Sequence, residues 1–508
     1  MKNRLRLFKA ISFQFALVAV SAGCEVPLPS GASIASSGVG GSSDTSSASS
    51  TGTSSSSGNG SFIPGSSQSG ASGGNVSPSL GDTGASISSV SSSNSSDLLS
   101  ISIAINSTLL DPTFAMMGPH LNNQTSFGDR LAFINATADG YSDLALLSPN
   151  YTNGMMDPNH SNVLVYSGKD SSLLYTLTGN YFFGRSLDSA GNFNHDGVDD
   201  LVVGAPACSI CGVAGQVFVY SGRDQSLIFS MSGDVNSMLG WVVAGVGDID
   251  GDGYDDILVT DPSNSNYRGI AYVISGRDHS ILFSAQGENE GDSFGQSASR
   301  IGDLDGDGLP DIIIGTRDFQ SQISGSKNTG KVYAFSPKSN RLLWSKVGVS
   351  WDGLGIGVSS AGDFNGDGMP DVIVQAGISN RVYVLSGADG SILYQKDSIQ
   401  PYGYGLNTAS LGDLEGTGYA DIALGDNMSG TVEIVSGKKK SVIATITANP
   451  TDVTGNLGSY MAGGSNFNGD GKPNLAIVAI NAKALASDGN ARGKVYVVSP
   501  TDLINSLK

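Results

Sequence analysis

The segment DIDGDGYDDILV, residues 248–259, is the most regular of seven related segments in the chain. Its side-chain oxygen donors stand at the first, third, fifth and ninth positions, namely Asp248, Asp250, Asp252 and Asp256, and glycine stands at the fourth and sixth. The related segments begin at Asn135, Asn192, Asp303, Asp363, Asp413 and Asn466, so the pattern recurs every 50 to 60 residues. A period of this length is typical of a repeat architecture.

The donor spacing in this segment suits a hard cation that takes six to eight oxygen ligands, and calcium fits this requirement better than zinc. The seventh residue, Tyr254, would add its backbone carbonyl oxygen. An EF-hand needs a glutamate at the twelfth position and a helix on each side, whereas the twelfth residue here is Val259 and Ile257–Val259 is typical of a buried strand. The pattern therefore predicts a calcium loop between two β-strands.

The copies differ in charge, and the charge predicts which of them bind calcium. Besides the segment at 248, the strong copies are Asp303, Asp305, Asp307 and Asp311 with the Leu309 carbonyl, and Asp363, Asn365, Asp367 and Asp371 with the Met369 carbonyl. A weaker copy has Asn192, Asn194, Asp196 and Asp200 with the Val198 carbonyl, and a still weaker one has Asp413, Glu415, Thr417 and Asp421. Together they predict about three to five calcium ions.

A second interpretation applies to the most altered copies, because Asp and Asn followed by Gly also form stable turns without a cation. The copies at Asn135 and Asn466 carry only one or two carboxylates and fit both interpretations. In the four-carboxylate copies the like charges repel one another unless a cation neutralises them.

The residues around each loop also repeat. A Phe-Gly pair or a relative precedes each loop, at residues 127–128, 183–184, 239–240, 294–295, 354–355, 404–405 and 457–458, and one strand after a loop ends in Gly204-Ala205-Pro206. This pattern resembles the FG-GAP repeat of the integrin α N-terminal region, over about residues 115–508. The resemblance implies a seven-bladed β-propeller.

The residues lead to the same fold without the resemblance. Each unit has room for four strands, and radial repetition of four-stranded blades leaves only short sheet edges. Tight turns such as Tyr166–Asp170, Tyr220–Asp224 and Ile274–Asp278 join the third and fourth strands. The last unit lacks one strand, and the alternating segment 101–105 is predicted to join that terminal blade and close the ring.

The first hundred residues differ in composition from the repeats. Basic residues, an apolar stretch from Ala10 to Val20 and the sequence Ser21-Ala22-Gly23-Cys24 are typical of a signal peptide over residues 1–23. The ending resembles a bacterial lipobox, which implies lipidation of Cys24; ordinary cleavage is the alternative, since Ser21 departs from that motif. Residues 24–99 are rich in Ser and Gly and predict a disordered tether, and residues 100–508 form the propeller.

Cys208 and Cys211 are the cysteines that remain besides Cys24. In an exported protein they predict a small structural disulfide. A redox site of the thioredoxin type would need a helix N-terminus, and a zinc site would need two further ligands.

A net charge of −19 argues against nucleic acid as a partner, because phosphate binding requires clustered Lys and Arg. The sequence contains none of the usual catalytic motifs. We therefore expect a non-enzymatic, surface-exposed module that binds a protein or a glycan and is attached to the membrane only through its lipid. A polysaccharide lyase or hydrolase and a sugar-binding lectin are the alternatives.

The calcium loops join first and second strands, so the loops between second and third strands lie on the opposite rim. The partner is expected to bind there. Trp351 and Tyr402, in connections between blades, are the predicted contact residues because aromatic side chains dominate binding hot spots; packing between blades is the other interpretation.

Overall fold

The computed structural model is an all-β, seven-bladed propeller, as the sequence predicts. It describes residues 101–104, 114–117, 128, 130–152, 155–180, 182–207, 212–319, 328–397, 404–427, 429–447, 456–480 and 493–506. The predicted signal peptide and tether, Cys24, Cys208, Cys211 and Tyr402 lie outside these residues.

Each blade is an antiparallel sheet of strands that follow one another in the chain. Two short strands precede the first blade: β1 Ile101–Ala104 and β2 Phe114–Met117. Blade one contains β3 Leu131–Ile134, β4 Asp143–Thr152, β5 Met155–Tyr166 and β6 Leu173–Gly179. Blade two contains β7 Ser186–Gly191, β8 Asp200–Ala205, β9 Ala214–Tyr220 and β10 Leu227–Val235. Blade three contains β11 Val243–Gly247, β12 Asp256–Asp261, β13 Ile270–Ile274 and β14 Ile281–Gln286.

Blade four contains β15 Ser297–Gly302, β16 Asp311–Thr316, β17 Lys331–Ser336 and β18 Arg341–Val347, and blade five contains β19 Leu354–Gly362, β20 Asp371–Ala376, β21 Arg381–Leu385 and β22 Ile392–Asp397. Blade six contains β23 Tyr404–Gly412, β24 Asp421–Asp426, β25 Thr431–Ser436 and β26 Ser441–Thr447. Blade seven contains β27 Asn456–Ser465, β28 Asn474–Ile480 and β29 Lys494–Val498. Two short helical segments are α1 Asn264–Tyr267 and α2 Pro500–Ser506.

The first strands of successive blades contact one another around the whole ring, including β27 of blade seven with β3 of blade one. The backbone N–H of Ser142 in blade one also donates to the carbonyl of Asn466 in blade seven at 2.9 Å. The propeller is therefore a closed ring.

The repeat sequence of blade seven contains only three strands, which predicts that a fourth comes from another part of the chain. The structure confirms this, because a strand that precedes blade one completes blade seven. That strand is β2, which pairs antiparallel with β29. The prediction that residues 101–105 close the ring is wrong, because β1 instead pairs parallel with β26 and adds a fifth strand to blade six. Alternation of apolar residues identifies a strand but not its partner, and the sequence alone could not distinguish the two blades.

The core lies between neighbouring blades. Second strands such as β8, β12 and β20 are buried along their whole length, which explains their uninterrupted apolar sequences. The second residue of most loops also enters this core: Phe193, Ile249, Phe364 and Phe467 are almost completely buried. Each loop is therefore anchored to the core beside its first donor residue.

The described residues contain no helix that is both long and apolar enough to cross a membrane.

Candidate metal sites and ligand cleft

The predicted calcium loops all lie between the first and second strands of their blades, on one rim of the propeller. The segment 248–256 joins β11 to β12, and a register shift between Gly245 and Gly247 marks the point where the strand ends. Gly251 and Gly253 adopt φ angles of 82° and 91°. Glycine allows these left-handed conformations without strain, so the loop can turn its donor residues inward.

Two loops bring three carboxylates together. The ligand atoms of Asp248, Asp250 and Asp252 lie within 4.8 Å of one another, and those of Asp303, Asp305 and Asp311 do the same. Within the described part of the chain these are the only groups of three or more His, Cys, Asp or Glu side chains at that spacing. Asp307 and Asp256, although predicted as ligands, lie outside these two groups.

Hydrogen bonds within the loop orient the first carboxylate. Asp248 accepts N–H groups from Gly251, Asp252 and Gly253 at 2.7, 3.0 and 2.8 Å. Asp303 accepts N–H groups from Gly306 and Gly308. Asp363 accepts N–H groups from Gly366, Asp367 and Gly368. The first residue is therefore held in the same way in the three loops that were predicted as strong sites.

The carboxylate of the fifth loop residue accepts a hydrogen bond from the backbone N–H of the seventh loop residue. This bond joins Asp252 to Tyr254 at 3.0 Å, and it recurs at Leu309, Met369 and Val198. The bond holds the N–H side of the seventh residue, whose carbonyl is the predicted ligand.

The ninth residue of each loop is a buried polar side chain that joins the loop to a hairpin. Asp256 is fully buried and accepts N–H groups from Ile249 at 2.8 Å and from Gly276 at 3.0 Å. Asp200, Asp371 and Asp421 accept the same bond from Gly222, Gly387 and Gly437. Blade four has Pro337 at the glycine position, which lacks an N–H, and there Asp311 accepts from Leu304.

Burial raises the pKa of these ninth-position carboxyl groups. The pKa of Asp256 rises to about 7 because burial outweighs its two N–H bonds, and the charges of Asp250 and Asp248 raise it further. Burial likewise raises the pKa of Asp311 to about 7 and that of Asp200, Asp371 and Asp421 to about 6. A bound cation would oppose this effect, since it favours the ionised form.

Basic side chains from the hairpins face several loops. Arg277 lies 4.0 Å from Asp252, Arg223 lies 3.3 Å from Asp196, and Lys439 lies 2.6 Å from Glu415. From the sequence, the hairpins are predicted to be structural turns alone. The signal was present in Ser-Gly followed by Lys or Arg, but only the fold shows that these residues stand over the loops.

The altered loops have their donor groups engaged in hydrogen bonds. In blade one, Thr137 donates both its N–H and its hydroxyl to Asp143, at 3.0 and 3.1 Å. In blade seven, Asn474 accepts the N–H groups of Phe467 and Asn468. Ile249 and Asn365 donate equivalent bonds to Asp256 and Asp371 in the predicted strong loops, so these contacts do not distinguish a turn from a calcium site.

The opposite rim contains a cleft of about 500 Å³ between blades two and three. One wall is the end of β10 with the connection that follows it, and the other is the segment after β12. Its lining includes Asp234, Asp261, Tyr267 and Tyr272 and no lysine or arginine. Tyr267 exposes 42% of its surface.

The wall after β12 has a strained backbone. Ser265, Asn266 and Tyr267 have φ angles of 52°, 57° and 60°, so α1 is a left-handed turn rather than a right-handed helix. Residues other than glycine rarely adopt this conformation in succession, at a cost of about 1–2 kcal/mol each. Backbone N–H groups of Gly291 and Ser293 hold the turn by donating to the carbonyls of Asn266 and Tyr267.

Trp351 lies in the connection between β18 and β19 with 40% of its surface exposed and a φ of 67°. It is therefore accessible on the rim where the partner was predicted to bind.

The blades have the sequence signature of a known repeat. A family model described as FG-GAP-like repeat matches residues 248–314, 303–374 and 363–424, and one described as FG-GAP repeat matches residues 183–220. The chain is thus a β-propeller that carries FG-GAP repeats, and it is similar in sequence to integrin α subunits.

Integrin alpha-4 of Xenopus laevis is 32% identical over 216 residues, which cover 38% of this chain and 20% of the relative. Integrin alpha-5 of the same organism is 31% identical over 216 residues, with the same coverage. Integrin alpha-V of Gallus gallus is 31% identical over 174 residues, 30% of this chain and 17% of the relative. The chain therefore spans about a fifth of the length of these relatives.

Among solved structures, Saccharomyces cerevisiae Sqt1 superposes with a TM-score of 0.43 at 12% identity, covering 76% of this chain and 97% of Sqt1.

Proposed function

We propose that the protein is a calcium-binding, surface-exposed recognition module that binds a protein or glycan partner, as in adhesion. The observation that carries the proposal is the convergence of the Asp248, Asp250 and Asp252 carboxylates within 4.8 Å. Like charges at this distance repel one another, and oxygen ligands of this kind suit calcium. The similarity to integrin α subunits supports ligand recognition as the general role.

The loops of blades three, four and five are the proposed main calcium sites, and those of blades two and six are the proposed weaker ones. In the three main loops the first-position carboxylate accepts the backbone N–H groups of the fourth and sixth residues. In blade six, Glu415 accepts Ser436 and Lys439 instead. This contact reduces the charge that the loop can offer to an ion.

We propose that calcium stiffens one rim and that the other rim binds the partner. The cleft between blades two and three supports this division, because its strained left-handed turn is the kind of feature that clusters at functional sites. The cleft offers carboxylate and hydroxyl groups beside an exposed Tyr267 ring, a combination suited to a sugar or a polar peptide. Trp351 and Tyr402 remain proposed contacts with the partner.

A polysaccharide-active enzyme is the second candidate, because Asp234 and Asp261 line the same cleft. Burial and the charges of these two carboxylates raise the pKa of Tyr272. The Tyr272 hydroxyl therefore stays protonated at neutral pH and can donate a hydrogen bond to a bound ligand. We favour the non-enzymatic role because of the sequence similarity to integrin α subunits.

The proposed location is the cell envelope or surface. The basic and apolar residues before Cys24 support export, and lipidation of Cys24 would hold the propeller to a membrane through the Ser- and Gly-rich tether. The cysteines Cys208 and Cys211 are proposed to form a disulfide in that oxidising compartment.

Metal analysis of the purified full-length protein tests the first part. We expect about three to five calcium ions per chain and a melting temperature that falls on addition of EDTA. The calcium sites would be refuted if the protein bound no calcium and its melting temperature were the same with and without EDTA.

A glycan array and incubation with acidic polysaccharides test the second part. We expect saturable binding without product, and weaker binding by Tyr267→Ala. The matched control is Tyr141→Ala, which changes the same residue type on the calcium rim. New unsaturated chain ends would establish the enzyme instead.

A further inference from the structure

In the four loops whose eighth residue is not proline, that residue donates its backbone N–H to the first residue of the loop in the preceding blade. The backbone N–H of Asp199 in blade two donates to the carbonyl of Asn135 in blade one at 3.0 Å. The N–H of Ala420 in blade six donates to the carbonyl of Asp363 in blade five at 2.7 Å. Neighbouring calcium loops are thus joined directly, through residues that the repeat pattern does not count as ligands.

In blades two and three the eighth residue is itself an aspartate, and its side chain reaches the preceding loop. Asp199 accepts the backbone N–H and the side-chain amide of Asn135, at 3.1 and 3.2 Å, together with the Ser189 hydroxyl at 2.9 Å. Asp255 accepts the backbone N–H of Asn192 at 2.7 Å. Its carboxylate also covers Gly191, where a Cβ atom would lie 2.3 Å from the Asp255 Oδ2 atom.

In six of the seven blades the identity of the first residue follows the identity of the eighth residue in the next blade. The first residue is asparagine where the next blade has aspartate at the eighth position, as for Asn135 and Asn192. The exception is Asn466, whose neighbour at the eighth position is Ser142 and whose amide donates to the Gly140 carbonyl at 3.2 Å. The first residue is aspartate where the next blade has proline or alanine at the eighth position: Asp248 with Pro310, Asp303 with Pro370, Asp363 with Ala420, and Asp413 with Pro473.

Electrostatics explains the pattern. The Asp255 Oδ2 atom accepts the backbone N–H of residue 192, so a carboxylate at that position would stand close to a second carboxylate in the cation-free protein. Two like charges this close oppose each other, whereas an amide beside a carboxylate is neutral or favourable. The aspartate at the eighth position therefore acts on the loop of a different blade.

We propose that Asp199 and Asp255 are specificity-determining residues that prevent the preceding loops from carrying a first-position carboxylate, and so keep the loops of blades one and two weak for calcium. This inference rests on the proposed calcium sites. Replacing Asn192 by Asp and Asp255 by Ala would give blade two the donors of blade five, with alanine as the neighbour in both cases.

The test is a double-mutant cycle on the full-length protein. In EDTA, Asn192→Asp is expected to lower the melting temperature by about 2 °C or more, and Asp255→Ala in the same chain should recover most of this loss. Asn194→Asp adds the same charge to the same loop at the third position, so its effect should not depend on Asp255→Ala. Additive effects of Asn192→Asp and Asp255→Ala would overturn the inference.

Calcium titration provides the second measurement. The double variant is expected to bind one more tightly held ion than the wild type, and an unchanged number of tight sites would contradict the assignment of affinity to this pair. If the wild type binds no calcium, the proposed function fails, but the cycle in EDTA still decides whether the two positions are coupled.

Blade three provides an independent variant in case Asn192→Asp does not fold. Pro310→Asp places a carboxylate beside the loop that begins at Asp248. We expect it to lower the melting temperature in EDTA, and to do so less when Asp248→Asn is present. Equal losses in the two backgrounds would count against the inference.

Discussion

The carboxylate of Asp256 accepts a hydrogen bond from the backbone N–H of Gly276 at 3.0 Å, which joins the end of the acidic loop 248–256 to the hairpin between β13 and β14. A Cβ atom at Gly276 would lie 2.2 Å from the carbonyl oxygen of Asp255. The glycine of the Ser-Gly turn is therefore required by the loop that it supports, and in five blades the turn and the loop form one unit.

Gly276→Ala should destabilise the protein, because the added methyl group meets backbone rather than a movable side chain. We expect a loss of about 1–3 kcal/mol in the free energy of unfolding, measured by denaturant titration. Gly291→Asn is the control, since Gly291 has open space around its Cβ position and asparagine tolerates its φ of 84°. Equal stability of the Gly276 variant and the wild type would contradict the close approach.

Asp250→Asn should weaken calcium binding to the loop 248–256, because it removes one of the three carboxylates that converge there. We expect the affinity of that site to fall about tenfold or more in calorimetric titration. Asp278→Asn removes the same charge from an exposed hairpin residue and should leave the titration unchanged. A similar fall in both variants would indicate a general charge effect rather than a site.

Calcium affinity should decrease as the pH falls from about 8 to about 6, because the carboxyl groups of Asp256 and Asp311, each with a pKa raised by burial to about 7, must lose their protons to bind an ion. Calorimetric titrations across this range measure the effect. Affinity that does not change with pH would show that these two groups take no part.

The cation-free protein should respond to pH in the opposite way. The folded-state pKa of the ninth-position carboxyl groups lies above the unfolded value of 3.8, so their contribution to stability is fully present below that value and is lost as the pH rises through about 6 to 7. Melting temperatures in EDTA should therefore fall over this interval. Excess calcium should remove the fall.

Deleting residues through 105 removes only the fifth strand of blade six, whereas deleting residues through 120 also removes β2 and opens blade seven. We expect a small loss of melting temperature for the first deletion and a larger loss for the second. Equal losses would place ring closure elsewhere.

The sequence predicted the seven blades and the loop positions because each depends on short-range chemistry that repeats. Glycine between acidic residues sets the turn, and an uninterrupted apolar strand such as β12 sets the core. The pairing of β1 with blade six could not be predicted, since it depends on which sheet edge lies nearest in space. The contact between Asp255 and Asn192 was equally hidden, because it joins residues one blade apart.

The closing strand β2 has a consequence for synthesis of the chain. It leaves the ribosome before any blade, yet its partner β29 is made only after the seventh loop. Residues 114–117 therefore have no partner strand until the last blade has been synthesised. A chain that ends before β29 would leave the facing edges of β2 and β28 unpaired. Unpaired sheet edges favour chaperone binding and mispairing with a neighbouring chain.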